Sequence, residues 1–182
     1  EVEQRFAQVF GRRYPGLVEA VQCEDADYVL VTLGSAAGLV RTVVESLRAQ
    51  GLRVGLLRIR YLRPLPTVVL AAALGNAKAV AVLEKDVSFG AEGTVFTNVN
   101  SALQQAGVRV PTYDFIGGLG GDDITPVQVE AIFRTLVRFV SEGAEVPRVS
   151  FLGIDGTPGD AASAASPKDL ASDACRNVKE EN

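Results

Sequence analysis

Histidine and methionine are absent from this sequence of 182 residues, and cysteine occurs only twice. Without histidine the chain cannot by itself supply a Ser-His or Cys-His pair, a His-ligated metal or an imidazole acid–base group, which excludes most familiar hydrolase mechanisms. Without methionine, Glu1 is not expected to be a translated start, because initiator methionine is retained before glutamate; an excerpt of a longer chain is expected. Cys23 and Cys175 stand far apart and form no CxxC, so neither a cluster site nor a disulfide framework is indicated, which fits a reducing cytoplasm. No window approaches the roughly 20 unbroken apolar residues of a membrane-spanning helix, and no basic-plus-apolar leader is visible; a soluble, cytoplasmic protein is expected. A net charge of -4 gives no reason to expect nucleic acid or an anionic membrane as partner. What is present is 47% apolar residues, enough for one packed domain within the usual ~100 to 200 residues.

The apolar pattern alternates between strand-like runs and helical stripes. Val2, Phe6, Val9 and Phe10 recur at helical spacing up to Gly11. LVEAVQ (Leu17 to Gln22) reads as a short strand. YVLVTL (Tyr28 to Leu33) is apolar on both parities, as in a strand covered on both faces, and GSAAG turns it into a helix striped by Leu39, Val40, Val43, Val44 and Leu47. RVGLLRI (Arg53 to Ile59) leads through RPLP to a helix over Val68 to Leu74. AVAVLE (Ala79 to Glu84) leads through KDVSFGAEG to a helix aligned on Val95, Phe96, Val99 and Leu103. VRVPTYDF (Val108 to Phe115) is the strand of a fourth strand-then-helix unit, in which Pro111 suits an edge or a start. Such repeated strand-then-helix units predict a mostly parallel sheet between two helical layers, a three-layer α/β/α sandwich.

FIGGLGGDDITP (Phe115 to Pro126) holds the most distinctive local chemistry. Thr125 as N-cap, Pro126 at the first helical position and Gln128 three residues after the cap predict a capping box. Ile124 and Val129 are placed for a hydrophobic staple, and Val129, Ile132, Phe133, Leu136, Val137 and Val140 continue one buried stripe. RVSFLGI (Arg148 to Ile154) follows as a further short strand, and 155–182 is a low-complexity tail with little to bury.

In open α/β sheets, chemistry gathers at the carboxyl ends of the strands. Four loops converge there: GSAAG, RIRYLRPLP, EKDVSFGAEG and GGLGGDD. GSAAG lacks the G-x-G-x-x-G spacing of a dinucleotide turn; its bland alternative is that Ser35 caps the helix while the glycines allow close packing. Arg58, Arg60 and Arg63 place three guanidiniums at that edge, to grip a phosphate or carboxylate or to pair with Glu84, Asp86, Asp122 or another subunit. Asp122 and Asp123 already occupy the field of the helix that follows and would repel a phosphate. They are also too few for a metal site, so the glycine cluster reads as a backbone-exposed turn for close approach of another surface.

GRRYPGLVEAVQCEDADYVLVTLGSAAG, GLRVGLLRIRYLRPLP, AVAVLEKDVSFGAEG and FIGGLGGDDIT, in that order, resemble the C-terminal domain of the pyruvate:ferredoxin oxidoreductase family, in its alpha subunit or the equivalent part of the single-chain enzyme. The likeness covers about residues 5–154, and VSFLGID resembles the segment that closes that domain. It implies a transketolase C-terminal-like fold with five strands, one antiparallel and supplied by LVEAVQ. The implied divisions are a linking helix over 1–15, the domain over 16–154 and the tail over 155–182. It also implies a complex that oxidatively decarboxylates a 2-oxoacid with coenzyme A, giving acyl-CoA, carbon dioxide and reduced ferredoxin. Thiamine diphosphate, Mg2+ and [4Fe-4S] clusters would sit in other domains or subunits, and this segment would be an accessory domain that binds no cofactor or metal itself.

By position, Gly34 and Ser35, Arg60, Arg63 with Pro64 and Pro66, Ser88 with Gly90, and Gly117 to Gly121 with Asp123 match the family pattern. Asp122 departs from it, standing where arginine is usual, and Leu65 stands where phenylalanine is common. The edge expected to face other domains or an anion therefore comprises Ser35, Arg58, Arg60, Arg63, Ser88, Gly118, Gly121 and Asp123, with no catalytic residue among them. Two alternatives stay open: a free-standing module binding CoA or a nucleotide at the arginine edge, and the equivalent domain of another thiamine diphosphate enzyme.

Overall fold

A computed structural model describes residues 2–153. The strands are β1 (Val18–Val21), β2 (Tyr28–Leu33), β3 (Val54–Ile59), β4 (Ala79–Glu84), β5 (Thr112–Ile116) and β6 (Val149–Phe151). The helices are α1 (Val2–Phe10), α2 (Ala36–Ala49), α3 (Thr67–Leu74), α4 (Thr94–Gln105) and α5 (Pro126–Glu142). The strands form one sheet in the order β1-β3-β2-β4-β5-β6, with β1 antiparallel to β3 and every other pair parallel. The sandwich and its single antiparallel strand match the expectation; the number of strands does not. The family likeness implies five and the sheet has six, because the backbone of Val149–Phe151 pairs with Asp114, Phe115 and Ile116 and makes VSF part of it.

Strand parity explains the two cores. Leu30, Leu56, Ala81, Leu83 and Phe115 point to one face, where α2 and α5 cover them with Val40, Leu47, Ile132, Phe133 and Leu136. Val29, Val31, Leu57, Val80 and Val82 point to the other, beneath Leu70 and Leu74 of α3 and Phe96, Val99 and Leu103 of α4. Both faces are therefore dry, which is why the central strands read as unbroken apolar runs. The crossovers through α2, α3 and α4 share one hand. The last, β5-α5-β6, advances across the sheet in the same direction as β4-α4-β5 but over the opposite face, so it has the other hand, rare in such units. That choice gives the first face its second helix.

Local boundaries shift where backbone chemistry requires. β5 begins at Thr112, after Pro111, rather than at Val108, since proline brings no N–H; the Pro111 carbonyl instead accepts from the Val80 N–H at 2.8 Å. The capping box forms: the Gln128 N–H donates to Thr125 Oγ1 (3.3 Å) and the Thr125 N–H donates to Gln128 Oε1 (2.8 Å). Gly143 ends α5 in the left-handed region at φ 68°. Along α5 the buried stripe holds through Leu136, but Val140 is 37% exposed, a correction that reflects the helix running past the end of the sheet's cover. In α1, Val2, Phe6, Val9 and Phe10 are all exposed, and Phe6 stacks instead on Phe10 and Tyr14 at 4.5 and 5.6 Å between ring centres. Cys23 is half-buried, where desolvation pushes its thiol up to about 11. Cys175 and the tail over 155–182 lie outside the described residues. Among the described residues no helix is long and apolar enough to cross a membrane.

Candidate functional site

The parallel strands all end on one side of the sheet, and β2 and β4, adjacent there, send their helices to opposite faces. This is the topological switch point at which α/β sheets open a crevice. A cavity of about 340 Å³ occupies it, between the turn Leu33 to Ala36, the end of β4 at Leu83 to Asp86, the start of α4 at Thr94 and Val95, and Leu62 and Ile124 from the flanking loops. Its floor is tied: the buried Thr32 hydroxyl donates to the Leu83 carbonyl at 2.7 Å, joining the ends of β2 and β4.

Behind the crevice lies a pair of buried acids that sequence reading missed. Glu84 closes β4 at 5% exposure, and Asp114 lies in β5 at 0%. The Glu84 carboxylate accepts the N–H groups of Val95 and Phe96, both at 2.8 Å, and so caps α4 with a negative charge where its dipole favours one. Asp114 Oδ2 accepts the Gly93 N–H at 2.7 Å. Asp114 Oδ1 is buried and has no hydrogen-bond partner among the described residues. Burial pushes the Asp114 carboxyl up to about 7, against the opposing Gly93 N–H and with the Glu84 charge adding to it. Burial also raises Glu84, over the lowering effect of its two N–H donors. Two carboxyl groups buried at the same helix start oppose each other's ionisation, and both are raised. Gly93 has to be glycine, since a Cβ there would collide with the Glu84 carboxyl. The available signal is a charged residue inside each of two strands that are otherwise apolar, Glu84 in AVAVLE and Asp114 in TYDFI.

All the edge residues named from sequence except Arg58 sit in the loops leaving the carboxyl ends of β2, β3, β4 and β5. Ser35 lines the crevice, but its hydroxyl makes no capping hydrogen bond, so the simple cap reading of Ser35 is corrected. The three arginines each meet a different partner. Arg58, within β3, bonds Glu19 of β1 at 3.3 Å; Arg60 donates to the Gly16 carbonyl at 3.0 Å, with Glu3 of α1 at 3.8 Å; Arg63 donates to the Leu62 carbonyl at 2.9 Å. None pairs with Glu84, Asp86 or Asp122. Ser88 is exposed, with its hydroxyl 3.4 Å from that of Thr94. Gly118 (φ 71°) precedes a single 3-10 turn, Leu119–Gly121, that Gly121 (φ 91°) ends, and a Cβ at Gly118 would lie 2.8 Å from Cε of Lys85, so the glycine turn is pressed against the loop after β4. Asp123 is exposed, its N–H held by Asp122 Oδ1 at 3.0 Å.

An α/β/α sandwich with a tied crevice at its switch point defines a ligand-facing or domain-facing module of the doubly wound class. Residues 26–129 match the model for pyruvate:ferredoxin oxidoreductase core domain II, and the chain belongs to that family. Pyruvate synthase subunit PorA of Methanothermobacter thermautotrophicus is 44% identical over 131 residues, which is 72% of this chain and 33% of that protein. Ketoisovalerate oxidoreductase subunit VorA of Pyrococcus horikoshii is 39% identical over 142 residues, 78% of this chain and 36% of the relative. The chain thus spans about a third of the length of these curated relatives. Among solved structures, the 2-oxoglutarate:ferredoxin oxidoreductase of Magnetococcus marinus, with 2-oxoglutarate, coenzyme A and succinyl-CoA bound, aligns at a TM-score of 0.55 and 26% identity. The alignment covers 74% of this chain and 21% of that one. A split-gene transketolase, an inactive tetramer, shares the fold at a TM-score of 0.52 and 18% identity, over 69% of this chain and 43% of its own.

Proposed function

We propose that this chain is an accessory domain of a 2-oxoacid:ferredoxin oxidoreductase, the C-terminal, transketolase-like domain of its alpha subunit, with pyruvate as the simplest substrate assignment. The observation that carries this is the match of residues 26–129 to core domain II, joined to relatives that are subunits of pyruvate and ketoisovalerate oxidoreductases. The domain spans 16–154, preceded by a linking helix over 1–15. Its carboxyl edge, from Ser35 through Arg60, Arg63 and Ser88 to Gly118, Gly121 and Asp123, faces the other domains. Among the described residues no group of three His, Cys, Asp or Glu side chains is arranged to hold a metal ion. On this reading the chain itself holds no diphosphate, Mg2+ or iron–sulfur cluster, and no chemical step is routed through it. Thiamine diphosphate, Mg2+ and the clusters belong to the rest of a cytoplasmic complex, and CoA and ferredoxin reach it there.

The test is reconstitution. The complex containing this chain should reduce viologen with a 2-oxoacid and CoA, and the chain alone should not. Turnover by the isolated chain would sink the accessory reading. Micromolar CoA or ADP binding by the chain, lost in Arg60→Ala and Arg63→Ala, would favour a binding module instead.

A further inference from the structure

The loop between β4 and α4, residues 85–93, walls one side of the crevice and carries Phe89 at 105% relative exposure, a phenyl ring entirely in water. Phenylalanine is enriched at protein–protein interfaces relative to the rest of the surface, so a ring presented in this way suits one. The loop is built rather than slack. The Ser88 N–H donates to the Glu92 carbonyl (3.3 Å), the Ala91 N–H to the Ser88 carbonyl (2.9 Å), and Gly90 takes the turn at φ 72°. Its end at α4 is fastened: Glu84 and Asp114 hold the N–H groups of Gly93, Val95 and Phe96, and Arg148 grips Glu92 at 3.0 Å. A stiff loop loses little freedom when its tip is buried, which is the property of an anchor.

We propose that Phe89 is the anchor by which this chain docks on another domain or subunit of the oxidoreductase, filling an apolar socket edged by basic side chains. This rests on the accessory-domain reading and names the chemistry of its partner. The basic edge follows from charge: Asp86, in this loop, and Asp122 and Asp123, in the loop after β5, are exposed, and the press of Gly118 on Lys85 brings the two loops side by side. Three carboxylates against one ammonium call for cations opposite, and they disfavour a second copy of the same face, whose own carboxylates would be brought against these. The relatives' remaining two thirds of length provides the partner surface.

The test uses the complete oxidoreductase. In a Phe89→Cys complex, maleimide modification followed peptide by peptide should be at least tenfold slower at position 89 in the assembled enzyme than in the same enzyme unfolded. Phe89→Ser should lower the salt concentration at which this chain dissociates severalfold, Phe89→Leu should not, and Asp122→Lys with Asp123→Lys should lower it too. Position 89 lies outside both cores, so the substitutions there leave the packing of the domain intact. A position-89 thiol that stays unprotected in the assembled Phe89→Cys enzyme, together with unchanged dissociation of Phe89→Ser, would overturn the anchor and leave the accessory role standing. A wild-type chain absent from any such complex would overturn both.

Discussion

Glu84 and Asp114 fasten the start of α4 by accepting the N–H groups of Gly93, Val95 and Phe96, and burial raises both carboxyls. A carboxyl whose folded pKa is raised contributes stability that is complete below its unfolded pKa and is lost as pH rises through the folded value. For Asp114 that window runs from about 4 in the unfolded chain to about 7 in the folded one. Stability should therefore fall as pH rises across that window, by up to about 1.4 kcal/mol per pH unit, and level off above it. Glu92 adds to the repulsion that Asp114 experiences, while Arg148, bonded to Glu92, opposes it. Asp114→Asn keeps an acceptor for the Gly93 N–H without a titrating proton. Thermal melts from about pH 4 to about pH 8 should show a flatter profile for this variant than for wild type. Identical profiles would show that the Asp114 carboxyl is not raised in the folded chain.

At the scale of elements, α5 shows how far residue chemistry reaches. Its capping box forms as Thr125, Pro126 and Gln128 predict, and Thr125→Ala should cost about 1 kcal/mol in denaturant unfolding with an unchanged slope. The strand positions are legible because runs such as YVLVTL and AVAVLE have no polar parity, so they suit only a sheet covered on both faces. Ser35 stands at a helix start without capping it because its own backbone is already helical (φ -72°, ψ -30°), where a capping residue is extended. Less legible are the features decided by distant partners. The sequence pattern puts Arg60 and Arg63 on the right loop, yet Glu19, which engages Arg58, lies 39 residues away in β1, and Glu3, beside Arg60, is more distant still in α1. Asp114 is hidden inside a strand whose neighbours are apolar, where only the pairing of β4 with β5 reveals that it meets Glu84.

For the whole molecule, the two cores share one set of central strands, and the edges are short: four residues in β1 and three in β6. Opening should therefore proceed from the edges inward. Amide hydrogen exchange should be slowest at Leu30, Leu56 and Val82 and should approach the local, non-global limit in β1 and β6. Equal protection across all six strands would show instead that the sheet opens only as a unit.

The strand order also sets a schedule. β2 lies inside the sheet, yet both of its neighbours, β3 and β4, come later in the chain. From the end of β2 at Leu33 to the end of β4 at Glu84 is about 50 residues, roughly 3 to 10 seconds of synthesis. Until Ile59 has been added, YVLVTL has two open edges; until Glu84 has been added, it still has one. A strand that ends almost wholly enclosed is thus among those most in need of protection while the protein is being made.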